Sequence, residues 1–201
     1  MNKVDTYEEE VVKFCKNRHW RCVKILESKN KSPDFKIFKE GEAAPFMIVE
    51  VKSIKGNDLD KTIEGAFTGE KFNTWEKSAN TAFGAIRNRI KKARDQFVDS
   101  QYLNLPQVVF LYSDRISTLY EISESSLREA LWGRTFLCLK DNKIVDQIHR
   151  GRIFRKGHMT CVSAVIVPKE SGGAIIAENQ YAEIPILKDL FLNSDDCWLS
   201  E

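Results

Sequence analysis

The sequence predicts an α/β protein with a mixed central β-sheet and helices on both faces. Residues 33–38 and 46–52 are rich in β-branched and aromatic side chains and are separated by a polar turn, which is typical of a β-hairpin. Residues 79–100 carry apolar side chains at helical spacing, and residues 107–111 form an apolar run that is typical of a central strand. This succession of strands and helices favours a βαβ crossover.

The composition is that of a globular protein. The chain has 201 residues, of which 30% are charged and 42% hydrophobic. We expect residues 1–190 to form a single domain and the acidic residues 191–201 to form a tail. No apolar run reaches the length of about 18 residues that a membrane span needs, and the N-terminal residues lack the apolar core of a signal peptide. These features predict a cytoplasmic protein without a membrane partner.

Cysteine usage agrees with a reducing compartment. The five cysteines are odd in number and form no CxxC pair, so we expect buried free thiols. They are Cys15, Cys22, Cys138, Cys161 and Cys197. The net charge of +2 is too small to predict nucleic-acid binding by itself, and the distribution of the charges matters more.

A first helix is predicted from Thr6 to about residue 18, followed by a strand at residues 21–26. Thr6 and Glu9 have the spacing of a capping box. On the helical wheel, Glu8 falls nearest the apolar stripe and Glu10 lies on its border. Glu8 therefore points partly inward, although the acidic residues of this turn also favour the positive end of the helix dipole and need no other role.

The hairpin at residues 33–52 brings charged side chains together. Ile48, Glu50 and Lys52 alternate onto one face of their strand. If the two strands pair antiparallel, Asp34 lies almost opposite Glu50 and Val51. A simple Glu50–Lys52 ion pair on an edge strand is the plainer interpretation of the same residues.

Two carboxylates in such a patch need a positive partner. Unit charges about 4 Å apart repel by roughly 4 kcal/mol at an effective dielectric constant near 20. Lys52 supplies one ammonium group, and Mg²⁺ or Mn²⁺ would satisfy the remaining carboxylate oxygens. A divalent metal beside a lysine is suited to phosphodiester hydrolysis, because the metal acidifies a bound water and both cations stabilise developing negative charge.

Pro33-Asp34 … Glu50-Val51-Lys52 resembles the signature of the PD-(D/E)XK phosphodiesterase superfamily, the restriction-endonuclease-like nucleases. The predicted order of helix, strand, Pro-Asp strand and Glu-x-Lys strand is similar to that of the superfamily. The resemblance implies a restriction-endonuclease-like core, with Lys52 as the catalytic lysine. It implies that Mg²⁺ or Mn²⁺ is bound by Asp34, Glu50 and the Val51 carbonyl. A glutamate on the first helix often reaches this site, and Glu8 is the first candidate and Glu10 the second.

The helix at residues 79–100 has a strongly basic surface. Its cations are Arg87, Arg89, Lys91, Lys92 and Arg94. Like charges at this spacing repel each other, so we interpret the surface either as a solvated face or as a contact for phosphates. The helix also resembles one that completes the active site in many of these nucleases, with Gln96 and Lys92 at the matching positions. Before it, residues 55–78 are predicted to form a substrate-facing loop or cap.

The second half of the chain completes the predicted sheet. Residues 123–132 are predicted as a helix that begins at the Ser123 cap and stops at Gly133. A hairpin with its turn at residues 141–142 follows, and then a second basic cluster that contains Arg152 and Arg155. Residues 161–167 have the pattern of a buried strand, and residues 171–187 that of a loop with a short edge strand.

The sequence favours a divalent-metal-dependent nuclease, with DNA preferred over RNA because most members of the superfamily cut DNA. Arg87, Arg89, Lys92, Arg152 and Arg155 are the predicted nucleic-acid contacts. The alternative is a non-catalytic nucleic-acid-binding or protein-interaction module on the same fold. A homodimer is one option for the assembly, because many members of the superfamily cut duplexes as dimers.

Overall fold

A seven-stranded mixed β-sheet forms the centre of the protein. The computed structural model describes residues 6–26, 32–54, 75–113, 122–140, 143–169, 171–191 and 193–201. Within these residues the helices are α1 (Thr6–Asn17), α2 (Trp75–Val98) and α3 (Glu124–Trp132), with a 3₁₀ turn at Lys188–Leu190. The strands are β1 (Trp20–Lys24), β2 (Phe35–Lys39), β3 (Met47–Ile54), β4 (Gln107–Ser113), β5 (Arg134–Lys140), β6 (Lys143–Arg150), β7 (Ala164–Pro168), β8 (Ala174–Glu178) and β9 (Cys197–Leu199).

The strand order of the large sheet is β1-β2-β3-β4-β7-β8-β9. Strands β1, β2 and β3 are antiparallel neighbours, and β3, β4 and β7 are parallel. Strand β8 runs antiparallel to β7 and parallel to β9. Strands β5 and β6 form a separate antiparallel hairpin. The predicted α/β class, the β3-α2-β4 crossover and both hairpins are therefore confirmed.

Each face of the sheet has its own hydrophobic core. Because successive strand residues point to opposite faces, Val49 packs with α1 while Ile48 packs with α2 and α3. Strand β4 divides in the same way, with Phe110 on the α1 side and Leu111 on the α2 side. Helices thus cover both faces, and the charged residues of β3 lie between two buried layers.

Helix α3 begins and ends where its sequence predicts. The Ser126 N–H donates to the Ser123 hydroxyl at 3.2 Å, which satisfies one of the free N–H groups of the first turn. At the other end, Gly133 adopts a positive φ of 78° and its N–H donates to the Glu129 carbonyl. Glycine accommodates that backbone conformation without steric cost.

The C-terminal residues belong to the sheet, and the prediction of a tail at residues 191–201 is wrong for the strand they contain. Strand β9 pairs with β8, and Leu199 is buried. Arg18 donates to Asp196 at 2.5 Å, and both side chains are almost fully buried. Asp196, one of the acidic residues that suggested a solvated tail, is therefore the buried partner of Arg18. Strand β8 is consequently an inner strand, whereas an edge strand was predicted there.

Three other predictions concern the substrate-facing cap, the burial of the cysteines and the absence of a membrane span. Residues 55–74 of the predicted substrate-facing cap lie outside the described residues, and residues 75–78 belong to α2. Among the cysteines whose side chains are described, Cys15 is buried and the others are partly exposed, while the side chain of Cys138 lies outside the described set. Within the described part of the chain, no helix combines the length and apolarity needed to cross a membrane.

Candidate functional site

The candidate site lies where β2 and β3 diverge. Their ladder ends at the pair formed by Phe35 and Val49, so Asp34 lies opposite Glu50 as predicted. The Asp34 N–H donates to the Val49 carbonyl at 3.0 Å, and the Asp34 carbonyl accepts the Ile25 N–H at 2.7 Å. One Asp34 carboxylate oxygen accepts the Val51 N–H at 2.7 Å. The Asp34 side chain thus accepts the Val51 N–H in place of the backbone carbonyl that a longer ladder would supply.

Glu50 and Lys52 lie on the α2 side of β3. Glu50 is only 1% exposed, and its Oε1 atom accepts a hydrogen bond from the Lys52 ammonium group. The same ammonium group donates to Gln96 Oε1 at 2.5 Å. Gln96 Nε2 is 3.5 Å from the Ser32 carbonyl oxygen, at the outer limit of a hydrogen bond. The structure therefore brings Gln96, a position that the resemblance indicated, to Lys52, and the same ammonium group contacts Glu50.

The two carboxyl groups have raised pKa values. Burial, followed by the charge of Asp34, raises the pKa of Glu50 to about 8, although Lys52 opposes this shift. Burial also raises the pKa of Asp34, opposed mainly by the Val51 N–H and then by Lys52. Among the described residues, no N–H group donates to the buried Oε2 atom of Glu50, and the Asp34 carboxyl group is its neighbour. Without a metal, burial therefore favours a proton on Glu50, because a single ammonium group does not compensate both carboxylates.

These residues fit a hard divalent cation. Mg²⁺ is typically bound by one or two carboxylates together with waters and phosphate oxygens, and its ligands here would be Asp34 and Glu50. The Val51 carbonyl is a third candidate, because the N–H and C=O of one strand residue point to the same edge, which at Val51 faces Asp34. No group of three or more His, Cys, Asp or Glu side chains at metal-binding spacing occurs among the described residues. The fit depends on the two neighbouring carboxyl groups of Asp34 and Glu50 and on the backbone carbonyl beside them.

Glu8 approaches the site from the α1 side. Its carboxylate accepts the Lys24 ammonium at 2.6 and 2.8 Å, and its charge is close enough to raise the pKa of Asp34. Glu10, the second candidate, is 50% exposed and lies 3.9 Å from the Lys13 ammonium. Of these two glutamates, Glu8 is the one near the carboxylates. Lys24 was not predicted, because its position depends on the register of β1 against β2, for which the sequence gives no signal.

The predicted nucleic-acid contacts fall into two groups. Arg87 donates to the carbonyls of Glu129 and Ala130 at 2.8 and 3.0 Å, where it caps the C-terminal end of α3. Arg152 is ion-paired with Glu201 and donates to the Phe154 carbonyl at 2.9 Å. Both guanidinium groups therefore have a role in the fold, which their sequence context did not indicate.

The remaining three predicted contacts are more accessible. Lys92 and Arg155 are exposed, and Arg89 is partly exposed. Arg89, Lys92 and Gln96 share one side of α2, because residues spaced by three or four positions are neighbours on a helix. Arg89 and Lys92 thus form a row on the surface of α2 that leads to Gln96, the side chain that contacts Lys52.

Comparisons with protein-family models, curated proteins and solved structures give no match to this chain. The interpretation of the site therefore depends on its own geometry. That geometry comprises the buried carboxyl group of Glu50 and the partly buried one of Asp34, one ammonium group held between a carboxylate and an amide, and a backbone carbonyl at a strand edge.

Proposed function

We propose that the protein is a divalent-metal-dependent nuclease on a restriction-endonuclease-like core, with DNA as the preferred substrate. The observation that carries the proposal is the convergence of Asp34, Glu50 and Lys52 at the divergence of β2 and β3. Gln96 reaches the same lysine from α2. A convergence of this kind supplies the parts that phosphodiester hydrolysis needs.

The element order supports the choice of fold. Helix α1 is followed by the antiparallel strands β1, β2 and β3, and then by α2 and the parallel strand β4. This is the order in which the PD-(D/E)XK resemblance places its first glutamate, its Pro-Asp strand, its Glu-x-Lys strand and its glutamine-bearing helix. This agreement in element order supports the proposed core.

The chain's own residues have distinct roles in this proposal. Asp34, Glu50 and the Val51 carbonyl hold the metal, which when bound supplies an acidified water and neutralises charge on the phosphate. Lys52 stabilises negative charge that develops on the attacked phosphate, and Gln96 fixes the direction of its ammonium group. Glu8, with Lys24 beside it, completes the acidic side of the site.

Arg89 and Lys92 are the proposed backbone contacts on α2. They lie on the side of the helix that bears Gln96, so a strand bound there runs towards the lysine. Phosphate contacts of this kind supply affinity and orientation without sequence information. They therefore suit a nuclease of any specificity.

The proposal is tested with purified protein, plasmid DNA, single-stranded DNA and RNA in the presence of Mg²⁺ or Mn²⁺. We expect the parent to cleave DNA, and we expect EDTA to abolish the cleavage. Asp34→Asn and Lys52→Ala should be inactive while remaining folded. A parent that cleaves none of the three substrates with either metal would contradict the proposal and would favour the non-catalytic alternative.

A further inference from the structure

Lys36 lies close to the candidate site on the α2 side of the sheet. In the two ladders of β2 it is directly opposite Val23 and Ile48, and Ile48 packs in the core beneath α2. Directly opposed residues share a face, so Lys36 also points to the α2 side. It is two residues from Asp34 along the chain, a distance of about 7 Å in an extended strand.

Tyr102 holds the Lys36 ammonium group in place. The Nζ atom lies 4.7 Å from the centre of the Tyr102 ring, which is within the range of a cation–π contact. A hydrogen bond from Lys36 also keeps the pKa of Tyr102 below its usual value. Gln101 Nε2 donates to the Tyr102 hydroxyl at 3.0 Å. The aromatic ring orients the cation but does not neutralise it.

Arg21 continues the positive charge along the same face. It is directly opposite Phe38, and its guanidinium group lies 4.0 Å from the centre of the Phe38 ring. Arg21 is exposed and donates to the Glu42 carbonyl at 3.2 Å. Phe38 is two residues beyond Lys36, so Arg21, on the neighbouring strand β1, is offset from Lys36 by about 7 Å along the strand direction. We call Arg21, Lys36 and Tyr102 the β2 patch.

The opposite face of the same strands is charge-balanced. There Lys24 is paired with Glu8, and the Lys39 ammonium lies 3.8 Å from the Glu42 carboxylate. In the β2 patch, by contrast, neither Arg21 nor Lys36 forms an ion pair with any described carboxylate. Cations that lack a carboxylate beside a catalytic site are available for an anionic ligand. They lie on neighbouring strands and on the same face, so one strand of nucleic acid that follows this face can contact both.

We propose that the β2 patch binds the backbone of the substrate strand next to the scissile phosphate, with Lys36 and Arg21 contacting successive phosphates and Tyr102 positioning Lys36. The inference rests on the proposed nuclease function and adds a second phosphate-binding surface to the one on α2. Together the two surfaces place Lys52 between bound segments of the strand. Phosphates on both sides of the reacting bond would then be held during hydrolysis.

The test measures oligonucleotide binding as a function of salt concentration. EDTA is present so that binding is measured without metal-dependent cleavage. The variants are Lys36→Met and, as a matched control, Lys39→Met, which removes the same charge from the other face of β2. Loss of one phosphate contact lowers the slope of log Kobs against log salt by about 0.7 for a single strand or 0.9 for a duplex. We expect this loss for Lys36→Met, with Lys39→Met unchanged.

Tyr102 is tested as a positioning residue. Tyr102→Phe keeps the ring and should retain most of the affinity, whereas Tyr102→Leu should weaken binding. The weakening by Tyr102→Leu should disappear in the Lys36→Met background, because the ring then has no cation to orient. Equal losses in both backgrounds would overturn the positioning role.

The outcomes separate this inference from the proposed function. A parent that cleaves DNA, combined with equal salt slopes for Lys36→Met and Lys39→Met, would overturn the β2 patch alone. A parent that binds DNA without cleaving it, combined with a reduced slope for Lys36→Met, would overturn the nuclease function and retain the patch as a binding surface. A parent that neither binds nor cleaves would overturn both.

Discussion

The Asp34 carboxylate accepts the Val51 N–H at 2.7 Å, immediately beyond the last backbone pair of β2 and β3. This bond joins Asp34, the residue before β2, to the peptide group between Glu50 and Val51 in β3. The separation of the strands at this point exposes an edge at which a carboxylate and a backbone carbonyl can act on the same ligand. The proposed metal site is therefore a consequence of where the hairpin ladder ends.

This relationship predicts different stabilities for two substitutions of Asp34. Asp34→Asn keeps an oxygen that can accept the Val51 N–H, whereas Asp34→Ala leaves that N–H without its partner. An unsatisfied and partly buried donor costs about 1 to 3 kcal/mol, so Asp34→Ala should be less stable than Asp34→Asn by that amount. Urea denaturation without metal measures the difference. Equal midpoints for the two variants would show that water replaces the carboxylate at no cost.

The raised pKa of Glu50 predicts a pH-dependent stability for the metal-free protein. Its pKa is about 8 in the folded protein and 4.5 in the unfolded reference, so folding favours the protonated carboxyl group. The stabilising contribution is complete below about pH 4.5 and is lost as the pH rises through about 8, with a total of a few kcal/mol. Comparing Glu50→Gln with the parent by denaturation from pH 5 to 8 isolates the effect. We expect the variant to lose relatively less stability over this range, and parallel curves would contradict the assignment.

Metal binding predicts a thermal shift that depends on Asp34. A ligand that binds only the folded state stabilises it by about 2.7 kcal/mol at a concentration of 100 times its dissociation constant. Mg²⁺ or Mn²⁺ should therefore raise the melting temperature of the parent and leave that of Asp34→Asn unchanged. Differential scanning fluorimetry measures this directly, with Ca²⁺ as a second hard cation. A shift of equal size in Asp34→Asn would place the binding elsewhere.

The positions of the α1 glutamates predict that they differ in importance. Glu8 influences Asp34 electrostatically, whereas Glu10 is half exposed beside Lys13. Glu8→Gln should lower cleavage at limiting Mg²⁺, and higher Mg²⁺ should restore part of it. Glu10→Gln is the matched control and should behave as the parent does. The prediction fails if the two variants have the same dependence of rate on Mg²⁺ concentration.

The buried Arg18–Asp196 pair predicts a large effect on stability far from the proposed site. Arg18 and Asp196 are 6% and 5% exposed, and Arg18 also donates to the Gly172 carbonyl at 2.9 Å. Removing one member of a buried pair costs about 3 to 5 kcal/mol, because the other charge remains without a partner. Asp196→Ala should therefore lower the urea midpoint strongly. Lys13→Ala, which removes an exposed ion pair, should cost less than about 1 kcal/mol.

The sequence predicts the candidate site well because most of its geometry is local. Alternation along β3 places Glu50 and Lys52 on one face, and a short hairpin brings Asp34 opposite them. Gln96 was predicted from the resemblance of its helix to one in the superfamily, and its contact with Lys52 depends on how that helix crosses the sheet. The placement of Asp34, Glu50 and Lys52 requires only the strand period and one turn.

The features that the sequence misses depend on contacts between distant residues. Strand β9 has three residues, too few for a periodic pattern, and Asp196 is paired with Arg18 in the turn that follows α1. Arg87 resembles its basic neighbours in sequence, yet its guanidinium group is held by α3 carbonyls because α2 and α3 pack together. Charge patterns identify a basic segment but do not indicate which of its members serve the fold.

The most direct test of the central claim is Mn²⁺-dependent cleavage of plasmid DNA by the parent, Lys52→Ala and Lys39→Ala. Lys39 lies on the neighbouring strand and on the opposite face of the sheet, so it controls for the loss of one positive charge. We expect cleavage by the parent and by Lys39→Ala, and none by a folded Lys52→Ala. Cleavage that persists at the parental rate in Lys52→Ala, or that is absent from the parent, would contradict the assignment of this site as a nuclease centre.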